Sequence, residues 1–237
     1  MGRRVDGRAS EATLRPLSCE LSTLFNADGS ALWKSGSTHV LAAVHGPLAP
    51  VNMAREEEKA IVTVVIKSGQ PEKTSAQEFE WAEFLANVLG ACIDRSRYPR
   101  SVVQVVFQII QADGSILSAL LHAAVAALMD AGVELFYLPV ATTCLVQDHE
   151  DDTKSSIYLD PSRAEEEEPH ASIVVLVNEN NRPDRILGCH TMGEGLSVDD
   201  MLSCINAAAK VGPAIVAFWR IAVEQKVTRE SQTLWSR

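Results

Sequence analysis

From Ser101 to Thr153 the chain carries no lysine and no arginine, and this cation-free centre constrains the fold more than any other feature. Its first part, Val102–Ile110, reads as a strand buried on at least one face. Gln111-Ala112-Asp113-Gly114-Ser115 is a turn sequence, and an apolar segment then runs from Ile116 to Met129, stopped by Gly132. A strand, a tight turn and a helix from about Ser115 to Asp130 are therefore expected in sequence. The start of that helix offers free N–H groups and a partial positive charge, the two ingredients of an anion site.

Leu17–Phe25, Ala31–Lys34, Val40–Val44 and Ile61–Lys67 are β-rich and separated by turn residues, which predicts a meander of antiparallel strands. From Ser75 to Asp94, apolar residues recur near a 3.6 period (Phe79, Trp81, Phe84, Leu85, Val88, Leu89, Cys92), so a helix with one buried face is expected. A second meander is predicted in Tyr137–Gln147, Ser156–Asp160, Ser172–Val177 and Arg185–Thr191. A long last helix follows the cap signal Ser197-Val198-Asp199-Asp200, runs to about Val227 and has a bend expected at Gly212-Pro213. The order is strands, helix, strand, helix, strands, helix, an α+β pattern in one domain of residues 1–237, with halves of about 1–120 and 121–237. At 237 residues and 46% hydrophobic, such a domain can bury a large core.

Several classes are excluded by the same reading. The apolar run Ile116–Met129 is too short to span a bilayer, and no membrane partner is expected. The arginines of the first fifteen residues (Arg3, Arg4, Arg8, Arg15) precede no apolar segment, so no secretory signal is expected, and Asp6 breaks the myristoylation pattern. The five cysteines are scattered, odd in number and never paired as C-x-x-C, which points to a reducing compartment. Formal charge is −10 and unevenly spread: residues 1–120 carry 12 basic and 13 acidic side chains, residues 121–237 carry 9 and 18. If nucleic acid is bound, the first half is the face for it.

Three stretches resemble the RNase PH family, and within it the ring subunits of eukaryotic RNA exosomes: Val5–Pro16 (VDGRASEATLRP), Tyr98–Ser115 (YPRSVVQVVFQIIQADGS) and Leu120–Gly132 (LLHAAVAALMDAG), with a weaker match at Thr191–Leu202. The resemblance spans nearly the whole chain in order. It implies an RNase PH-like fold of two similar βαβ-type halves, with mixed and antiparallel sheets around a central helical layer. It implies partners too: other RNase PH-like subunits in a six-membered ring around single-stranded RNA, with DNA or a homodimer as further possibilities, in nucleus, nucleolus and cytoplasm. The family reaction is phosphate attack on the 3′-terminal phosphodiester, releasing nucleoside diphosphates.

That chemistry requires cations for phosphate and a carboxylate for a metal or a proton. Active members carry Thr and Arg in the turn after Q-A-D-G; here Ser115 and Ser118 remain as phosphate-binding candidates while Leu117 stands at the arginine position. A second arginine belongs on the preceding helix, where an ungapped count back from Tyr98-Pro99-Arg100 reaches Ala86 or Asn87. Asp160, at a strand end, is the preferred catalytic carboxylate, and Asp160 with Glu168 is the candidate pair for Mg²⁺ or Mn²⁺, beside Glu165–Glu168 and His170. Lys67, Lys73 and Gln77 are candidates for RNA contact, as is the basic patch Arg95, Arg97 and Arg100. Three readings follow: a ring scaffold with a degenerate phosphate site, a phosphate-dependent 3′–5′ exoribonuclease, or a metal-dependent nuclease acting through Asp160. Inorganic phosphate is the cofactor of the second, Mg²⁺ or Mn²⁺ that of the third.

Overall fold

The computed structural model describes residues 4, 6–49, 58–68, 75–147, 155–193 and 195–235, with the backbone alone at residues 75, 183, 184 and 233–235. Two sheets enclose a helical layer. The first sheet contains β1 (Leu17–Leu21), β2 (Gly29–Ser35), β3 (Thr38–Leu48), β4 (Ile61–Ser68) and β5 (Val102–Gln111), in the order β1-β2-β3-β5-β4. The second contains β6 (Pro139–Gln147), β7 (Ser156–Leu159), β8 (Ala171–Glu179) and β9 (Arg182–Met192), in the order β7-β6-β8-β9, all antiparallel. The helices are α1 (Ser75–Cys92), α2 (Ile116–Asp130), the single turn α3 (Arg163–Glu166) and α4 (Val198–Trp235).

The first sheet departs from a simple meander. Strands β1 to β3 are antiparallel neighbours, but β4 lies beyond β5 and pairs with it in parallel, from Ile61 opposite Val102 to Ser68 opposite Ile109. A parallel pair needs a crossover, and α1 is that crossover. Turn residues bound β4 in either topology, so the local pattern does not distinguish the two.

Helix α2 explains the cation-free centre. Every side chain from Leu117 to Leu128 is buried, because the helix packs on β2 and β3 with one side and on β6 with the other. Its C-terminal end approaches β2 so closely that a Cβ at Gly29 would collide with the Ala127 carbonyl and the Ala131 amide. Helix α4 closes the second sheet. It is long and apolar enough to cross a membrane by length and composition. Instead Cys204, Ala208, Val211, Ile215, Trp219 and Ala222 are buried on its inner face, where it meets β6 and β8. It continues through Gly212-Pro213 as one helix to Trp235. Trp33, His122, Phe218 and Trp219 stack where β2, α2 and α4 converge, with ring centroids 5.0–6.2 Å apart.

Candidate active site: the turn before helix α2

Gly114 and Ser115 turn the chain from β5 into α2 with φ of +74° and +50°. The left-handed conformation suits glycine, and at Gly114 close approach adds a second demand: an added Cβ would lie 2.5 Å from the Pro161 carbonyl oxygen. The turn is thus pressed against the segment joining β7 to α3.

An arginine–aspartate pair holds that contact. Arg15 donates from Nη2 and Nε to the two carboxylate oxygens of Asp160, at 2.6 and 3.1 Å, and its backbone N–H donates to Oδ2 at 2.9 Å. The same guanidinium donates to the carbonyls of Asp113 and Gly114 and to the Thr38 hydroxyl, which itself donates to Gly114. Burial alone would raise the Asp160 pKa, but the Arg15 bonds outweigh it and hold the carboxyl below its ordinary value. One layer further out, Arg4 makes a buried bidentate pair with Glu165 (2.9 and 2.8 Å) and donates to the Leu159 carbonyl, while Arg8 donates to the Asp160 carbonyl. The N-terminal segment that carried the family resemblance is therefore a clasp over the β7–α3 connection.

The expected site residues change roles accordingly. Asp160 is not an open carboxylate at a strand end: it is buried, with φ +51°, and saturated by Arg15. Glu168 accepts from Gln147 at 2.6 Å, so the two carboxylates chosen for a divalent cation sit in different bonding networks. No group of three His, Cys, Asp or Glu suited to a metal occurs among the described residues. The donor set does not fit a resident cation. Ser115 directs its hydroxyl to the Pro161 carbonyl (2.9 Å), and Ser118 donates back to the Ser115 carbonyl while accepting from Thr143. Neither hydroxyl faces an incoming anion. Of the turn amides expected for phosphate, that of Ser115 donates to Glu166 Oε1 at 2.7 Å.

A cleft of about 310 Å³ opens in front of this turn. Its polar wall is Gly114, Ser115, Arg163, Glu166 and Glu167; its apolar wall is Trp81, Ile173, Val175 and Met192, with Gln77 at the rim. Arg163 is tied to Glu167 at 2.7 Å. Burial raises the Glu166 pKa most, with Asp160 and Asp113 adding to it against the Ser115 amide and Arg15, and the result is about 6.

Comparison with known proteins fits this geometry. Residues 13–134 match the first domain of the 3′ exoribonuclease family, RNase PH, and residues 137–211 match its second domain. This chain belongs to the RNase PH family. Among its relatives, the Arabidopsis thaliana exosome complex exonuclease RRP46 homolog is 31% identical over 95% of this chain and 98% of its own length, and the Oryza sativa homolog of the same name is 32% identical over 94% and 96%. The crystal structure of rice Rrp46 superposes with a TM-score of 0.81 at 33% identity, covering 92% of this chain and 98% of that one. The Archaeoglobus fulgidus exosome with RNA bound to the active site shares the fold, with a TM-score of 0.77 at 19% identity.

Against the RNase PH pattern, Leu117 lines the cleft from α2 and is only 2% exposed, so the arginine position is filled by a core side chain. The second arginine position needs correction. Ala86 and Asn87 line a separate groove with Ile61, Val62 and Arg95, whereas α1 faces the turn with Gln77 and Trp81. Nine residues separate Gln77 from Ala86, about two and a half helical turns, which places them on opposite faces. Counting back from Tyr98-Pro99-Arg100 could not register this face. The basic patch lies away from the cleft. Arg95 and Arg97 follow the C-terminal end of α1, some 27 Å along the helix axis from its first turn. Arg97 pairs with Asp94 and Glu134, and Arg100 is exposed. Lys67 is exposed near the end of β4, next to Ser68, whose amide donates to Glu78 of α1. Lys73 lies outside the described residues. Sequence reasoning weighed Glu166 only as part of an acidic run; its signal was the Ser162–Glu165 capping box, which fixes where α3 starts and so which glutamate faces the turn.

Proposed function

We propose that this chain is a core subunit of an RNA exosome, serving 3′–5′ RNA processing and degradation mainly as a ring scaffold and RNA-binding component. Other RNase PH-like subunits are its partners in a six-membered ring, with RNA in the central path and a nuclear, nucleolar and cytoplasmic setting. The supporting observation is the state of the turn. Where the family reaction needs cations around phosphate, Leu117 is buried, the Ser115 amide holds a carboxylate, and the one cation lining the described cleft, Arg163, is neutralised by Glu167. The missing guanidinium contact at Leu117 removes a charge-assisted bond worth roughly 1.5–3 kcal/mol in the ground state, and more where charge develops.

Kinship with relatives named exonucleases keeps the phosphorolytic reading as the alternative outcome of one experiment. Purified protein is incubated with 5′-labelled single-stranded RNA and either inorganic phosphate or Mg²⁺/Mn²⁺ alone. Intact RNA under both conditions, with binding retained, is the expected result. Phosphate-dependent release of nucleoside diphosphates overturns the scaffold reading, and metal-dependent release of monophosphates replaces it with hydrolysis.

A further inference from the structure

The amide at the head of a fifteen-residue helix is where an external anion would bind, and here a side chain of the same molecule already occupies it. Glu166 reaches the Ser115 amide from α3, which the clasp of Arg4 on Glu165 fixes in place. Across the cleft, the buried Trp81 indole N–H has no acceptor among the described residues.

We propose that Glu166 is a built-in anionic ligand of the α2 N-terminus that excludes inorganic phosphate from the turn as long as its carboxylate is charged and in place. The inference rests on the reading of this turn as a degenerate phosphate site. A second anion at the α2 N-terminus would compete with Glu166 for the Ser115 amide, and the Coulomb repulsion between them acts in a partly desolvated cleft where screening is weak. The groups that face Glu166 set the balance. Asp113 precedes the turn and Asp160 lies behind it, both disfavouring its charge; Arg15 favours it. Arg163 on its own turn is paired with Glu167 at 2.7 Å and also favours the Glu166 charge. Among the described residues, α1, β8 and β9 line the cleft with the uncharged Gln77, Trp81, Ile173, Val175 and Met192. With these neighbours the Glu166 pKa lies at about 6, so the carboxylate is charged at pH 7.5 and largely neutral at pH 5.0. The plug thus releases within a mildly acidic range.

Sulfate titration by calorimetry tests this, because sulfate remains a dianion throughout that range whereas phosphate titrates. The full chain is compared with Glu166→Ala, which removes both charge and bond, Glu166→Gln, which removes the charge alone, and Glu83→Gln, an exposed α1 carboxylate outside the cleft lining, as a control, all at constant ionic strength. The wild type is expected to bind sulfate about tenfold more tightly at pH 5.0 than at 7.5, the factor that one charge-assisted bond supplies. Glu166→Ala and Glu166→Gln should show the tighter binding at both pH values, and Glu83→Gln should follow the wild type. A wild type indifferent to pH, Glu166 variants with no gain at pH 7.5, or an equal gain in Glu83→Gln each overturns the plug. Glu166→Gln covers the case in which the alanine variant fails to fold. RNA and phosphate incubated with the same samples separate the two readings: diphosphate release by the wild type at pH 7.5 refutes the scaffold reading and, since phosphate must then enter the turn, the plug with it, whereas intact RNA beside a pH-indifferent sulfate affinity refutes the plug alone.

Discussion

Asp160→Asn distinguishes a structural carboxylate from a catalytic one. In the native fold the Asp160 side chain and that of Arg15 are 12% and 5% exposed and meet at 2.6 Å, with a second bond at 3.1 Å and a third from the Arg15 amide. An asparagine keeps the shape but leaves the guanidinium charged and buried without its counterion. Breaking a buried pair from one side costs roughly 3–5 kcal/mol. For a chain of this size that is a fall in Tm of roughly 6–20 °C. The loss should appear in guanidinium-chloride unfolding as a lower midpoint with unchanged slope. The double variant Arg15→Met/Asp160→Leu should recover much of it, since replacing both charges leaves none unpaired. The pH dependence follows from the lowered Asp160 pKa. Its stabilisation is present above the unfolded value of 3.8 and is lost only as pH falls through the lower folded value. An Asp160→Asn protein with wild-type stability and reduced RNA turnover would refute this account and restore Asp160 as a reacting group.

Gly114→Ala should destabilise by about 1–3 kcal/mol, since φ +74° and the 2.5 Å approach to Pro161 both oppose a Cβ, as thermal unfolding would show. Burial lowers the His122 pKa to about 4, with Asp160 and the Ala141 amide opposing the shift. The neutral ring stabilises fully above pH 6.5, and that contribution, about 3 kcal/mol, is lost between pH 6.5 and 4. His122→Gln should flatten this part of the stability profile, a difference measurement that leaves the opposite slope from Glu166 unchanged. Lys67→Glu should weaken single-stranded RNA binding and lower its salt slope by about one, while Arg97→Glu, at the other end of α1 and already paired, should change neither in fluorescence anisotropy.

Periodicity and turn chemistry located eight of the strands and helices near their observed bounds because those signals are local. The parallel placement of β4 was not legible, since it depends on which edge of β5 is free after β3 has paired. The site divides in the same way. Gly114 and the start of α2 were readable from five residues, whereas the role of Asp160 depended on Arg15, 145 positions earlier in the chain. A carboxylate at a strand end looks the same in sequence whether it faces solvent or a guanidinium. Glu166 was hidden by its neighbours: among four consecutive glutamates, only helical phase determines that Glu165 turns to Arg4 and Glu166 to Ser115.

The placement of Arg15 explains how the turn keeps its shape without its catalytic cations. The bonds that impose the left-handed residues come from behind, from Arg15 and Thr38 to the carbonyls of Asp113 and Gly114, and none of them uses the face open to the cleft. Backbone geometry and anion affinity are therefore set by different side chains. Replacing a cleft-facing arginine by Leu117 costs the fold nothing, because leucine buries well against the core between α2 and the second sheet. Losing Arg15 would instead release the turn itself. If that separation holds, Leu117→Arg in the Glu166→Ala background should raise sulfate affinity by a further factor of about ten without moving the turn. Its unfolding midpoint should fall, because the new guanidinium must leave a buried position to reach the cleft. Unchanged affinity with an intact fold would show that Leu117 does not occupy the arginine's place.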